Sequence, residues 1–187
     1  MPETRLYCPS CGEKTNVVMM LFKGKDEPHC STCGLLLTET DEPKIKTLSC
    51  IVTAEDTPLL RKKISEMLEA RDITKNVISA QNGEDFLSTV VGRLKNDMPV
   101  SLAILDVNMP ILNGINAAIA LRSIERGMKR NERIPIVFFT ANVCDEIFKK
   151  ALTYLNPAVY INKGAGSSPD EFAQRLYSVI IKLLATK

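Results

Sequence analysis

No stretch of this chain reaches the ~18 consecutive apolar residues that a membrane-spanning helix requires, and neither sign of charge dominates. The 187 residues carry 24 Lys and Arg against 22 Asp and Glu, a formal net charge of +2. So even a balance supplies no broad field for nucleic acid or an anionic membrane, and any partner must be chosen by local features. Internal repeats and low-complexity segments are absent too. The first residues, MPETRLYCPSCG, have no charged leader followed by an apolar stretch, which predicts a cytoplasmic chain. What is present is ordinary for a globular protein: 45% hydrophobic and 25% charged residues, enough apolar mass for a real core. The length suits one domain of about 140 residues with something small attached.

The small part announces itself by cysteine. Four of the six cysteines form two Cys-x-x-Cys pairs, Cys8 with Cys11 and Cys30 with Cys33. In a chain without a leader this favours metal over disulfides, and the spacing is that of a four-thiolate tetrahedral zinc site. A glycine follows each pair, in CPSCG and CSTCG, and permits the tight turn that aims both sulfurs at one metal. The segment resembles a zinc ribbon. Four protein ligands leave no open position for catalysis, so Zn2+ there is structural, and its ligation would be the main source of folding energy in so small a module. His29, beside Cys30, could serve as a substitute ligand but reads better as a solvated loop histidine. A redox pair is disfavoured because neither Cys-x-x-Cys opens a helix in a βαβ unit. Cys50 and Cys144 are unpaired by spacing and read as core or surface thiols.

Residues 1–37 form this module and the polar, proline-containing stretch 38–47, TETDEPKIKT, reads as a linker. From Leu48 to the end, apolar strands alternate with amphipathic helices. The expected strands are Leu48–Thr53, Val77–Ala80, Leu102–Leu105, Ile134–Phe139 and Ala158–Ile161. The expected helices are Leu59–Ala70, opened by Thr57 as cap and Pro58, then Glu84–Lys95, Ile115–Arg126, Asp145–Leu155 and Pro169–Leu184. On the first of these, Leu60, Ile64 and Leu68 share a face. This alternation implies an α/β fold, a five-stranded parallel doubly wound sheet with helices on both sides, where ligands bind beyond the carboxyl ends of the strands. At those ends stand Glu55, Asp56, Asp106, Thr140 and Lys163. Three carboxylates converging on one edge call for a hard cation, and Mg2+ with a phosphate oxygen satisfies them.

DVNMPILNG at 106–114, with AED at 54–56, TA at 140–141 and YINK at 160–163, resembles the receiver domain of two-component response regulators, over residues 48–187. The resemblance implies a flavodoxin-like fold in which Asp106 is the phosphoacceptor. Glu55, Asp56 and Asp106 would hold Mg2+ with the backbone carbonyl of Asn108. Lys163 and Thr140 would contact the phosphoryl oxygens, Ala141 would leave room for the group, and Tyr160 would be the switch residue that reads it. The face built by the fourth helix, fifth strand and fifth helix would change shape in response. Pro110 and Gly114 would shape the loop that presents Asp106, Gly114 through its freedom to take positive φ. Two departures stand out. Gly164 follows Lys163 where the family has proline, which predicts a more mobile loop, and Glu55-Asp56 replaces the commoner Asp-Asp.

The resemblance also implies a histidine kinase or phosphotransfer protein as donor and an output protein as recipient, the chain itself being a phosphoacceptor rather than an enzyme. The output is less determined. Residues 1–40 carry four basic and five acidic side chains, a poor footprint for phosphate contacts, so a protein-interaction or dimerisation role for the ribbon is favoured over nucleic-acid binding by a transcriptional regulator. Val17 to Phe22 is apolar at both alternating sets, so one face either docks on the receiver, on a second copy in a homodimer or on a partner, or packs inside the ribbon. The basic stretch RGMKRNER, 126–133, reads as a solvated connection.

Overall fold

The computed structural model describes residues 5–22, 24–37, 47–164 and 168–185. Most of the linker reading, 38–46, lies outside the described residues. The described residues make two sheets. The first is antiparallel, in the order β1 (Arg5–Cys8), β2 (Glu13–Phe22), β3 (Lys25–Cys30). The second contains β4 (Ile51–Ala54), β5 (Val77–Ala80), β6 (Leu102–Asp106), β7 (Ile136–Thr140) and β8 (Ala158–Asn162), all parallel, in the order β5-β4-β6-β7-β8. Between and after them run α1 (Pro58–Ala70), α2 (Gly83–Lys95), α3 (Gly114–Gly127), α4 (Glu146–Tyr154) and α5 (Pro169–Ala185). No described helix is long and apolar enough to cross a membrane.

Strands covered by helices on both faces read as continuous apolar runs, and β4, β6 and β7 are buried at every position. Ile51, Leu102, Ile104, Leu105, Ile136 and Phe138 form the centre of the core. In α1, Ile64 and Leu68 face it, while Leu60 packs at the margin. The sheet reverses strand order between β4 and β6, and the carboxyl ends on either side of that reversal carry Glu55 and Asp106. This is the topological position at which such sheets bind ligands.

The differences from the predicted elements have local causes. The first parallel strand starts at Ile51, three residues late, because Leu48 makes only an isolated bridge to Thr74, and Ser49 turns aside to meet Ser101 Oγ. β7 starts at Ile136 because Pro135 has no N–H to give the ladder and the Ile134 N–H is taken by Glu125 Oε1 at 2.6 Å. Thr57 does occupy the cap position of α1, yet its side chain makes no cap hydrogen bond; the hydroxyl donates instead to Asp56 Oδ1. Asn82, Asn113 and Asp145 do cap α2, α3 and α4, each accepting from the N–H three residues on.

Candidate functional site

Asp106 ends β6, and its side chain lies in the crevice with Glu55, which follows β4. Both are buried, at 4% and 1% exposure, whereas Asp56 faces solvent. One oxygen from each of the three carboxylates falls within 4.8 Å of the others. The Lys163 ammonium bridges two of them, 2.8 Å from Glu55 Oε2 and 2.9 Å from Asp106 Oδ2, and stands 4.3 Å over the Phe139 ring. Its backbone N–H is anchored on the Thr140 carbonyl at 2.7 Å. The Gly164 N–H is tied to Asn162 Oδ1 at 2.7 Å; residues 165–167, which make up most of the loop expected to be more mobile, lie outside the described residues.

Burial pushes the Glu55 carboxyl above its ordinary range, Lys163 opposes this, and Asp106 adds to it. One ammonium against three carboxylates leaves net negative charge in a partly dry site. A hard divalent cation with oxygen ligands fits that donor set, with the solvent side of Asp56 leaving space for water and a phosphate oxygen.

The loop after Asp106 is tighter than the sequence suggests. Leu112 N–H donates to the Pro110 carbonyl at 2.7 Å across Ile111, whose φ is 67°. This is a γ-turn of the rare positive-φ form, on a β-branched residue for which that region is strained by roughly 1–3 kcal/mol. No residue type in ILNG signals it. Gly114 has no positive φ, contrary to expectation. Its role is clearance: a Cβ there would overlap the Asp106 carbonyl oxygen, and the Gly114 N–H closes the loop on the Val107 carbonyl at 3.1 Å. The Asn108 N–H points back to Asp106 Oδ1 at 3.3 Å.

Thr140, at the end of β7, is 1% exposed; its hydroxyl accepts from the Asn142 N–H at 3.2 Å, and Ala141 beside it is open. Tyr160 is also 1% exposed. Its ring packs edge-on against Phe148 of α4, and its hydroxyl donates to Cys11 Sγ at 3.2 Å, not to the acidic crevice.

The four cysteines form a second centre. Cys8, Cys11, Cys30 and Cys33 present sulfurs all within 4.8 Å of one another, with Cys8–Cys33 at 3.6 Å and Cys11–Cys30 at 3.8 Å. A tetrahedron with Zn–S bonds of ~2.3 Å places its sulfurs about 3.8 Å apart, so the donor set fits. The glycine after each pair takes the left-handed conformation, φ 79° at Gly12 and 78° at Gly34, and its N–H returns to the carbonyl of the first cysteine of the pair at 2.8 Å. Hydrogen bonding among the thiols, Cys11 foremost, raises Cys8 and lowers Cys30, and a shared cation would hold all four as thiolates.

His29 is no part of this cluster. It lies in β3 rather than a loop, half-buried, with Nδ1 2.9 Å from the Gly34 carbonyl. The apolar run on β2 is not packed inside the ribbon: Val18, Met19, Met20 and Leu21 are 44–75% exposed. Cys50 and Cys144 are both buried and free. The stretch 126–133 is exposed throughout, and Arg133 Nη1 donates to the Asn156 carbonyl at 2.9 Å.

Comparison with known proteins agrees with this geometry. The family model described as the response regulator receiver domain matches residues 51–174. A protein-glutamate methylesterase/protein-glutamine glutaminase of Clostridium acetobutylicum is 31% identical over 103 residues, 55% of this chain but 25% of that protein. The match therefore spans about a quarter of that relative's length. Among solved structures, the receiver domain of the histidine kinase CKI1 from Arabidopsis thaliana, complexed with Mg2+ and BeF3−, superposes with a TM-score of 0.60 at 16% identity, covering 73% of this chain and 90% of that one. The chemotaxis protein CheY4 of Vibrio cholerae superposes with a TM-score of 0.54 at 20% identity, covering 71% and 98%. At these identities the superpositions speak for the fold.

Proposed function

The chain belongs to the response regulator receiver family, and from that premise we propose that it is a cytoplasmic phosphorelay protein whose Asp106 accepts a phosphoryl group from a histidine kinase or phosphotransfer protein. The observation that carries the reading is the Lys163 ammonium shared between Glu55 and Asp106 at 2.8 and 2.9 Å, beside Asp56 and Thr140. It pairs a nucleophilic carboxylate with a cation that can follow the charge. Residues 48–187 would be the receiver, 1–37 the zinc-binding ribbon, and 38–47 the connection.

In the transfer, an Asp106 carboxylate oxygen attacks phosphorus, the P–N bond of the donor phosphohistidine breaks, and its electron pair returns to the imidazole. Positioning and charge stabilisation do most of the work in such a reaction. Lys163 leaves Asp106 for a phosphoryl oxygen as a mobile point charge. The Thr140 hydroxyl turns from its backbone partner to donate to another oxygen, and Ala141 adds no bulk beside it. Glu55, Asp56, Asp106 and the Asn108 carbonyl would hold Mg2+, which when bound screens the like charges of nucleophile and phosphoryl group. Tyr160 is the candidate reader of the change, and Zn2+ on Cys8, Cys11, Cys30 and Cys33 would hold the ribbon in shape.

The test is incubation with Mg2+ and a small phosphoryl donor, followed by intact-mass measurement of wild type and Asp106→Asn. One phosphoryl group on wild type and none on the variant is expected. A wild-type chain that stays unmodified while a control receiver is labelled would refute the reading.

A further inference from the structure

Among the described residues, the two sheets meet at the strand end that carries Lys163. β8 is an edge strand of the parallel sheet, and its open edge is met by the Cys8–Cys11 knuckle. The Asn162 N–H donates to the Ser10 carbonyl at 2.9 Å, and the Ser10 hydroxyl donates to the Tyr160 carbonyl. Arg175 of α5, 4% exposed, clamps the joint: Nε donates to the Pro9 carbonyl at 2.9 Å, and Nη2 to the Ser10 and Asn162 carbonyls at 3.2 and 3.0 Å. From α4, Lys149 Nζ reaches the Ser31 carbonyl in the second cysteine pair at 2.9 Å. Tyr160 completes the joint through Cys11 Sγ.

These contacts come from α4, β8 and α5 together. Ser10, at their centre, is 1% exposed. The knuckle also cannot ignore the acidic crevice. Asn162 immediately precedes Lys163, so a single peptide unit separates the residue that holds Ser10 from the residue that holds Glu55 and Asp106. A solvent-open pocket of about 330 Å³, lined by Cys11, Gly12, Glu13, Val143, Tyr160 and Asn162, lies beside that strand end.

We propose that the ribbon is the resident intramolecular partner of the α4–β8–α5 face and that its hold is weakened by phosphorylation of Asp106, so that the cysteine centre and the acidic crevice are energetically linked through Asn162 and Tyr160. The inference rests on the phosphoacceptor reading above. With Lys163 bridging Glu55 and Asp106, the end of β8 lies where Ser10 and Cys11 can bond to it. When Lys163 follows charge onto a phosphoryl oxygen, that strand end moves and the knuckle's hydrogen bonds are strained. Linkage is reciprocal: a metal-loaded knuckle favours the unphosphorylated arrangement by the same factor. The face that an output protein would use is therefore covered until the phosphoryl group arrives.

The experiment uses the full zinc-loaded chain with and without the phosphoryl donor and Mg2+. It follows zinc transfer to a chromogenic chelator, and deuterium uptake in peptides covering Cys8–Gly12 and Tyr160–Gly164. Couplings of this kind are of order 1–3 kcal/mol, or about 5- to 150-fold. The expected result is at least a fivefold faster zinc loss, with faster exchange in both peptides, in phosphorylated wild type, and no response in Asp106→Asn. Tyr160→Phe keeps the ring against Phe148 but removes the hydroxyl donor, and should shrink the ratio. Intact mass read on the same samples separates the two ways of failing. A phosphorylated chain with unchanged zinc loss and exchange overturns this inference alone; a chain that takes no phosphoryl group overturns the underlying reading and this inference with it.

Discussion

Replacing Gly114 by alanine tests whether the phosphoacceptor loop depends on close backbone approach. Gly114 is the first residue of α3, with Asn113 as cap. An added Cβ would overlap the Asp106 carbonyl oxygen, and it would lie 2.9 Å from the Asp106 carbonyl carbon and 3.3 Å from Val107 Cα. All three atoms are backbone, so no side chain can swing away. Overpacking of this sort costs ~1–3 kcal/mol, offset by the ~1 kcal/mol that alanine gains over glycine in a helix. A net loss of roughly 0–2 kcal/mol follows. The kinetic effect is larger, because a 1 Å misplacement of a reacting group can cost on the order of 100-fold. Gly92 is the control: it is exposed in the interior of α2 with nothing within 4 Å of a Cβ. Gly92→Ala should raise stability by ~0.5–1 kcal/mol and leave phosphoryl uptake unchanged. Urea unfolding by circular dichroism and an intact-mass time course measure both variants. If Gly114→Ala is as stable as Gly92→Ala and is phosphorylated at the wild-type rate, the close-approach argument is wrong.

Lys163→Met removes the cation that competes for Glu55 and Asp106, so Mg2+ affinity should rise about tenfold or more in calorimetric titration, while the phosphorylated chain loses its exchange difference at β8. Arg122, 3% exposed, donates to the Leu155 carbonyl and to Glu125 Oε2. Arg122→Met leaves Glu125 charged in the core and should cost ~3–5 kcal/mol in urea unfolding; a loss under 1 kcal/mol, the level of an exposed pair, would refute that account. Burial pushes the Cys144 thiol up to about 11 and raises Cys50 as well. At pH 8 roughly one Cys144 in a thousand is thiolate, so the folded, zinc-loaded chain should resist iodoacetamide at both thiols, with Cys144 labelling climbing about tenfold per pH unit. Because the fold favours the neutral thiol, that contribution to stability is full below the ordinary thiol range and fades as pH rises toward 11.

Much of the parallel sheet was legible in one dimension because period and punctuation are local. Val77–Ala80 is observed as read, and β6 and β8 gain a single residue each. The acidic site was legible for a related reason. In a doubly wound sheet each strand's carboxyl end faces the same side, so a residue's place in chain order says which edge it occupies. Where the reading failed, the deciding partner lay outside the element being read. Glu125 takes the Ile134 N–H, the Asp106 carbonyl excludes any side chain at Gly114, and Tyr160 turns to a cysteine 149 residues away.

The sequence by itself therefore determined the α/β alternation, the two Cys-x-x-Cys pairs, and the identity of the carboxylates, hydroxyl and ammonium that meet at one edge. Each rests on spacing within a strand, turn or helix, which the covalent chain enforces. Only the tertiary structure decided that the apolar β2 hairpin stays exposed while the Cys8–Cys11 knuckle docks on β8, α4 and α5. That choice is made by unpaired backbone groups on an edge strand and by a buried arginine seeking carbonyls. Such groups carry no periodic signature, because every residue of the chain offers the same backbone to be paired.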